Sequence, residues 1–128
     1  MISCNCLVGF IMDIQELLVQ AQEAVQEKKI DLATSIYDSV LEIDPKNFIA
    51  NTNLGLLTIN ANLLDKGLYF LKTALDNHPH QEAAWTNYIK YLMLFRKYKN
   101  ASKVILQARK SGLRGDFLDQ YEILCFFA

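Results

Sequence analysis

Residues 48–81 read FIANTNLGLLTINANLLDKGLYFLKTALDNHPHQ and contain two helical patterns in succession. In the second half of this stretch, apolar residues recur at spacings of three and four, which indicates an amphipathic helix. These residues are Leu64, Leu68, Leu71, Ala74 and Leu75. The helix must end at His78-Pro79, because the residue before a proline is driven out of the helical region. The first half predicts another helix, from Asn47 to about Asn60, and the short link makes the two helices antiparallel neighbours.

The same pattern recurs one repeat length earlier and one repeat length later without any insertion, in residues 14–47 and 82–115. One repeat position holds the small residues Ala33, Gly67 and Ala101, and another holds Tyr37, Leu71 and Ile105. A third holds Val40, Ala74 and Ala108, and a fourth holds Pro45, Pro79 and Leu113. With no run of alternating polarity, residues 13–115 predict an all-α array of three helical hairpins. The small residues would let the two helices of each pair approach closely.

The ends of the other helices follow from the same repeat. First helices are expected from Asp13 to about Glu27 and from Gln81 to about Leu94, in addition to the one that begins at Asn47. The second helices of the first and third hairpins should end at Asp44-Pro45 and at Ser111-Gly112.

These repeat positions resemble the tetratricopeptide repeat, in which an aromatic residue, a Leu-Gly pair, a small residue, a second aromatic residue, an alanine and a proline are fixed. Trp85 and Leu54-Gly55 match the first two of these positions, and the resemblance covers Ile14 to Gly115. The first repeat departs from it, with Leu17, Gln20-Ala21 and Ala24. The resemblance implies a right-handed α-α superhelix whose first helices line a concave groove for a peptide.

The segments outside the repeats have separate interpretations. Residues 1–12 are expected to be an N-terminal extension, because no basic residue precedes their apolar stretch and no cleavage pattern follows it. The stretch is also far shorter than the ~20 apolar residues that cross a membrane. Residues 116–128 predict a capping helix that covers the last apolar face. Its apolar end, Cys125 to Ala128, is explained either by a longer parent protein or by a homodimer contact through this helix.

Composition and motifs favour a binding protein in a reducing, cytoplasmic setting. With 13 basic and 14 acidic side chains, the net charge of −1 argues against a nucleic-acid partner. Cys4, Cys6 and Cys125 form neither a disulfide framework nor a complete zinc site. His78 and His80 flank a proline in a turn that is expected to be solvated. No phosphate-binding loop or catalytic motif occurs, so we expect no enzyme activity, no cofactor and no metal.

Charge is distributed unevenly along the chain. Residues 1–47 contain 3 basic and 8 acidic side chains, whereas residues 82–115 contain 8 and 1. The basic set could attract an acidic partner. Most of it falls on the second helix of the third hairpin and its turns, where a solvated face is expected. The set comprises Lys90, Arg96, Lys97, Lys99, Lys103, Arg109, Lys110 and Arg114.

The predicted binding surface consists of residues at equal positions of successive first helices, which stack into ladders along a groove. Asn53 and Asn87 occupy the same repeat position, directly after Thr52 and Thr86. An asparagine amide donates and accepts, so such a ladder can hold a peptide backbone; alternatively, these side chains only solvate the groove. The repeat domains of O-linked N-acetylglucosamine transferases have asparagine at this position, and the resemblance implies the same use here. The predicted groove residues are Thr52, Asn53, Leu56, Thr86, Asn87 and Lys90.

The sequence therefore predicts a protein-interaction scaffold that binds a peptide or partner protein in this groove. Chaperone-binding members of the family clamp a carboxylate with basic groove residues, for which only Lys90 is available here. The alternative is the N-terminal repeat segment of a larger enzyme. The stretch from Trp85 onward resembles the last repeat before a glycosyl-, sulfo- or methyltransferase domain in bacterial proteins.

Overall fold

The computed structural model describes the backbone of residues 3–127 and the side chains of residues 14–127. Within this range the chain forms seven α-helices and no β-strand. They are α1 (Ser3–Gln26), α2 (Ile30–Ile43), α3 (Phe48–Asn60), α4 (Leu64–Asn77), α5 (Glu82–Leu94), α6 (Tyr98–Lys110) and α7 (Asp116–Phe127). The chain divides between Asn77 and His78 into two compact units, the first with α1 to α4 and the second with α5 to α7. The predicted all-α fold of three hairpins and one further helix is confirmed.

The helix bounds agree with the expected ones except at the N-terminus. α1 begins at Ser3, well before the expected start at Asp13. The physical reason is the lack of a stop signal, because residues 3–12 contain no proline and a single glycine does not end a helix. The expected extension is therefore helical from Ser3 onward. Predictions about residues 1, 2 and 128, and about the thiols of Cys4 and Cys6, lie outside the described residues.

The turn within each hairpin contains one residue in the left-handed region of backbone conformation. Lys28, Asn62 and Arg96 have φ values of 63°, 66° and 61°, and they share one repeat position. After Lys28, the N–H of Lys29 donates back to the Ala24 carbonyl at 2.8 Å, and the equivalent bond recurs in the other two turns. This bond pairs a carbonyl that the helix end leaves free. The turn is thus as periodic as the helices, although its side chains differ.

The two helices of the second hairpin cross at Gly55 of α3 and Gly67 of α4. A methyl group on Gly67 would collide with Ile59 Cγ1 and would lie 2.9 Å from the Gly55 carbonyl oxygen. A methyl group on Gly55 would lie 3.1 Å from the Gly67 carbonyl oxygen and 3.1 Å from Leu71. The close approach expected at the small-residue position is therefore present in this hairpin.

The repeat positions that hold matching small and apolar residues form the packed stripes of α2, α4 and α6. Tyr37, Leu71 and Ile105 are all buried, as are the residues at the small position and at the position of Val40. Burying a side chain of this size stabilises the fold by about 1.5–3 kcal/mol. In the first unit, the buried residues of α2 join Leu18 and Leu54 in one apolar cluster.

An equivalent hydrogen bond fixes the entry to the second and the third hairpins. Asn51 Nδ2 donates to Pro45 O at 3.1 Å, and one repeat later Trp85 Nε1 donates to Pro79 O at 2.8 Å. Both donors belong to buried side chains. A buried N–H without a partner costs about 1–3 kcal/mol. Because the proline carbonyl accepts from either side chain, both asparagine and tryptophan can be buried at this repeat position. A comparison of residue types does not detect this bond, because an amide and an indole have only the N–H donor in common.

One buried side chain and one charge cluster hold α7 in the second unit. Leu118 is fully buried, whereas the other apolar side chains of α7 are partly or largely exposed. Arg109 of α6 donates to Asp119 Oδ1 at 2.5 Å and to Glu122 Oε2 at 2.8 Å. Both carboxylates raise the pKa of the guanidinium, because they favour its charged form. Arg109 therefore joins α6 to α7 rather than belonging to a merely solvated face.

Gly67→Ala tests the helix crossing. The added methyl group should lower the free energy of unfolding by about 1–3 kcal/mol, although alanine is the better helix former. Ile59→Ala in the same chain removes the colliding group, so the double variant should be more stable than the sum of the two single changes implies. Chemical denaturation measures all three variants. Lys66→Ala, on the exposed side of α4, is the control and should change little; a Gly67→Ala chain as stable as the wild type would contradict the crossing.

Arg96→Gly tests the left-handed turn. Glycine adopts a positive φ without strain, so this change should raise the free energy of unfolding by about 0.5–1 kcal/mol. Lys103→Gly removes the same charge from the exposed interior of α6 and should lower it by about 1 kcal/mol. Thermal or urea unfolding distinguishes the two variants. Equal loss of stability in both would mean that Arg96 is not in the left-handed region.

Candidate functional site

The predicted groove residues of the first unit lie on α3, and all three are half-buried. Asn53 forms a side-chain hydrogen bond with Tyr37 of α2. Burial of the phenol raises the pKa of Tyr37, and the bond to Asn53 acts in the opposite direction. Next to it, Thr52 Oγ1 is buried without a hydrogen-bond partner, and Leu56 completes the set. The Asn53 amide thus has a structural role between α2 and α3 that the repeat pattern does not reveal.

The predicted residues of the second unit lie on α5. Thr86 Oγ1 donates to the Glu82 carbonyl at 3.1 Å, a bond within its own helix. Asn87 is half-buried, and Lys90 is exposed. The Lys90 ammonium lies 5.4 Å from the centre of the Tyr91 ring, within range of a cation–π contact. Lys90 also lines a cavity of the second unit.

This cavity, the α5–α7 groove, has a volume of about 500 Å³ and lies wholly in the second unit. Its lining residues are Lys90, Met93, Leu94, Tyr98, Tyr121, Leu124 and Phe127. Leu94 and Leu124 are 63% and 54% exposed although both are apolar. Such exposure on the walls of a concave surface is typical of a binding site.

The α7 side of the groove consists of residues outside the predicted groove set. Tyr121, Leu124 and Phe127 occupy the repeat positions of Asn87, Lys90 and Met93. Tyr121 and Leu124 therefore continue two of the predicted groove positions, those of Asn87 and Lys90, into a fourth row. The interpretation of residues 116–128 as a cap misses this continuation. The signal is nevertheless present in the repeat register itself.

A basic cavity of about 600 Å³ lies in the same unit and shares Tyr98 with the groove. Its lining residues are Arg96, Lys97, Tyr98, Lys99, Asn100, Ser102 and Cys125. Three of these are cationic side chains from the turn and the start of α6, where a solvated basic face is predicted from the sequence. The second unit therefore places an apolar groove beside a cluster of positive charge.

The described residues were also compared with the requirements of a metal site and of a membrane span. The rings of His78 and His80 lie 6.1 Å apart. Among the described side chains, no group of three or more His, Cys, Asp or Glu residues could hold a metal ion. None of the helices within residues 3–127 combines the length and the apolar character needed to cross a membrane. The chemistry that the groove and the basic cavity offer is apolar and ionic contact with a ligand.

Solved structures of other proteins match the fold of this chain. No family model matches the sequence, and no curated protein matches it. The Sgt2 TPR domain from Aspergillus fumigatus is similar, with a TM-score of 0.69 and 19% identity over 88% of this chain and 76% of that chain. The first TPR of Spaghetti (RPAP3), bound to the HSP90 peptide SRMEEVD, has a TM-score of 0.71 and 13% identity over 88% and 89% of the two chains.

A third similar structure is that of a MamA point mutant, with a TM-score of 0.63 and 22% identity over 77% of this chain and 72% of that chain. At these identities the likeness concerns the fold. Two of the three names state a TPR domain, and each alignment covers most of both chains. The resemblance seen in the repeat positions is confirmed at this level: the chain has the tetratricopeptide repeat fold.

Proposed function

We propose that this chain is a protein-interaction module whose α5–α7 groove binds an extended segment of another polypeptide. The observation that carries the proposal is the groove itself, where Leu94, Leu124 and Phe127 remain exposed around a concave surface. The bound segment would place apolar side chains on these residues and remove their surface from water. Binding, rather than catalysis, is the activity that such a surface supports.

The charge next to the groove favours acidic residues in the bound segment. Arg96, Lys97 and Lys99 line the adjoining basic cavity, and residues 82–115 contain 8 basic side chains against 1 acidic. A field of one sign attracts the opposite charge and speeds association. The ligand class that fits best is a peptide with apolar residues next to acidic ones.

A structural neighbour supports this class of ligand. The RPAP3 domain is bound to a peptide of sequence SRMEEVD, in which methionine and valine lie beside acidic residues. In the present chain the α5–α7 groove contains one cation, Lys90. We therefore propose apolar anchoring with acidic flanks, and not a clamp on a terminal carboxylate.

The two asparagines of the predicted groove have different roles in this proposal. Asn87 is half-buried on α5, the helix that also carries Lys90, and its amide can pair with a peptide backbone. Asn53 serves first as the partner of Tyr37. With Thr52 and Leu56, it also provides a partly accessible edge on the first unit. Association with a transferase domain, and a cytoplasmic location, remain predictions from the sequence.

Alanine substitutions distinguish the two asparagines. Asn53→Ala leaves the buried Tyr37 hydroxyl unpaired and should lower the free energy of unfolding by about 1–2 kcal/mol. Asn87→Ala should change it by less than about 0.5 kcal/mol. In a Tyr37→Phe background, Asn53→Ala should be nearly neutral, because the bond is already absent. Urea denaturation provides these values; an Asn53→Ala effect that persists in the Tyr37→Phe chain would exclude the bond as its cause.

The groove is tested by selecting ligands from a displayed library of random linear peptides with residues 1–128 as bait. Enriched peptides should combine apolar and acidic residues, and calorimetry then measures their affinity. Leu124→Asp should weaken the best of them at least about tenfold, or roughly 1.4 kcal/mol. Leu106→Asp, on an exposed part of α6, is the matched control and should remain within about twofold. Failure of any peptide to enrich, or equal binding by both variants, would refute the groove as the binding site.

A further inference from the structure

The outer face of α7, defined as Ile123, Phe126 and Phe127, is an apolar surface that remains exposed in the described part of the chain. These side chains are 57%, 83% and 78% exposed. The Phe126 and Phe127 rings meet edge to face, with centroids 5.2 Å apart. Positions three and four residues apart lie on one side of a helix, so the three side chains form one patch. Patches of this kind usually mark a contact with another molecule.

The repeat register identifies what covers this face in the earlier first helices. Ile123 falls at the position of Ala21, Gly55 and Ile89, and Phe126 falls at that of Ala24, Thr58 and Leu92. All six of these earlier residues are buried. In each of the three hairpins the second helix packs against the first. The positions of Ile123 and Phe126, which are exposed in α7, are therefore buried in the three first helices against which a second helix packs.

The second hairpin shows this cover in atomic detail. A methyl group on Gly55, at the position of Ile123, would lie 3.1 Å from Leu71 of α4 and 3.1 Å from the Gly67 carbonyl oxygen. Ile59 of α3, at the position of Phe127, lies directly against Gly67 of α4. Two of the three outer-face positions are thus contact points for a second helix.

We propose that the outer face of α7 binds an amphipathic helix of a partner polypeptide, packed as a second helix packs within a hairpin. That packing needs a small residue at the crossing, as at Ala33, Gly67 and Ala101. It also needs a larger apolar residue four positions later, as at Tyr37, Leu71 and Ile105. Burial of Ile123 and Phe126 under such a helix supplies the driving force. These two residues do not line the α5–α7 groove, which shares only Phe127 with the outer face.

A second copy of this chain fits the outer face less well. The helices with a small residue at the crossing, α2, α4 and α6, already bury that residue inside their own hairpins. The other way to pair two copies is through α7 itself, and residues 116–127 contain no glycine or alanine. Two α7 faces would therefore meet through bulky side chains on both sides. Neither arrangement of two copies therefore places a small residue against the outer face.

The test uses the full chain with a fluorescent peptide of residues 62–79, which reproduces α4 and its flanks. This peptide has two acidic and two basic side chains, so net charge does not drive its binding. Fluorescence anisotropy should show saturable binding. A matched peptide with Gly67→Leu cannot approach closely and should bind at least about tenfold more weakly.

Variants of the chain locate the contact. Ile123→Asp places a charge within the outer face and should weaken peptide binding at least about tenfold. Leu106→Asp makes the same kind of change on α6 and should leave the affinity within about twofold. Leu124→Asp, which disables the α5–α7 groove, should leave it within about threefold. Weaker peptide binding by Leu124→Asp would implicate the α5–α7 groove, whereas weaker binding by Ile123→Asp would implicate the outer face. Either proposal can therefore fail alone.

Three outcomes would overturn the proposal: no saturable binding, equal affinity for the two peptides, or equal affinity of Ile123→Asp and the wild type. Sedimentation velocity on the chain alone provides a further check. A concentration-dependent dimer that Ile123→Asp dissociates would assign the outer face to a second copy of the chain.

Discussion

The fold depends on how closely two helix backbones approach at one small residue in each hairpin. In the second hairpin this approach is so close that a methyl group on Gly67 would strike Ile59. The crossing sets where the remaining apolar side chains of both helices meet, and it leaves a turn so tight that one residue adopts a positive φ. Because the small position recurs in every repeat, one local constraint generates three hairpins of the same design.

The repeat spacing is sufficient to predict the hairpins and their buried stripes. Ala33, Tyr37 and Val40 can be assigned to the core from spacing alone, because burial on one face of a helix imposes that periodicity. The start of α1 cannot be assigned, since nothing in residues 3–12 ends a helix. Helix ends depend on stop signals, and where these are missing the sequence leaves the boundary open.

The candidate site is less predictable because it depends on contacts between helices. Asn53 stands out in the sequence as a repeating polar residue, but its bond to Tyr37 joins two helices whose relative rotation the sequence does not specify. The bonds of Asn51 and Trp85 to a proline carbonyl illustrate the converse case. There the geometry repeats and the residue type does not, so a comparison by residue type cannot detect it. Periodicity predicts positions well, and it predicts partners poorly.

The modest attachment of α7 links ligand binding to local stability. This helix has one fully buried side chain, Leu118, and the ion pairs of Arg109. Elements with so few buried contacts open locally well below the free energy of global unfolding. Since α7 supplies one wall of the groove, each local opening also dismantles the binding surface. A ligand that binds only the closed form must then slow amide hydrogen exchange in α7. The factor is one plus the ratio of the free ligand concentration to the dissociation constant. Occupancy of this groove could therefore be measured from the backbone of α7 without labelling the ligand.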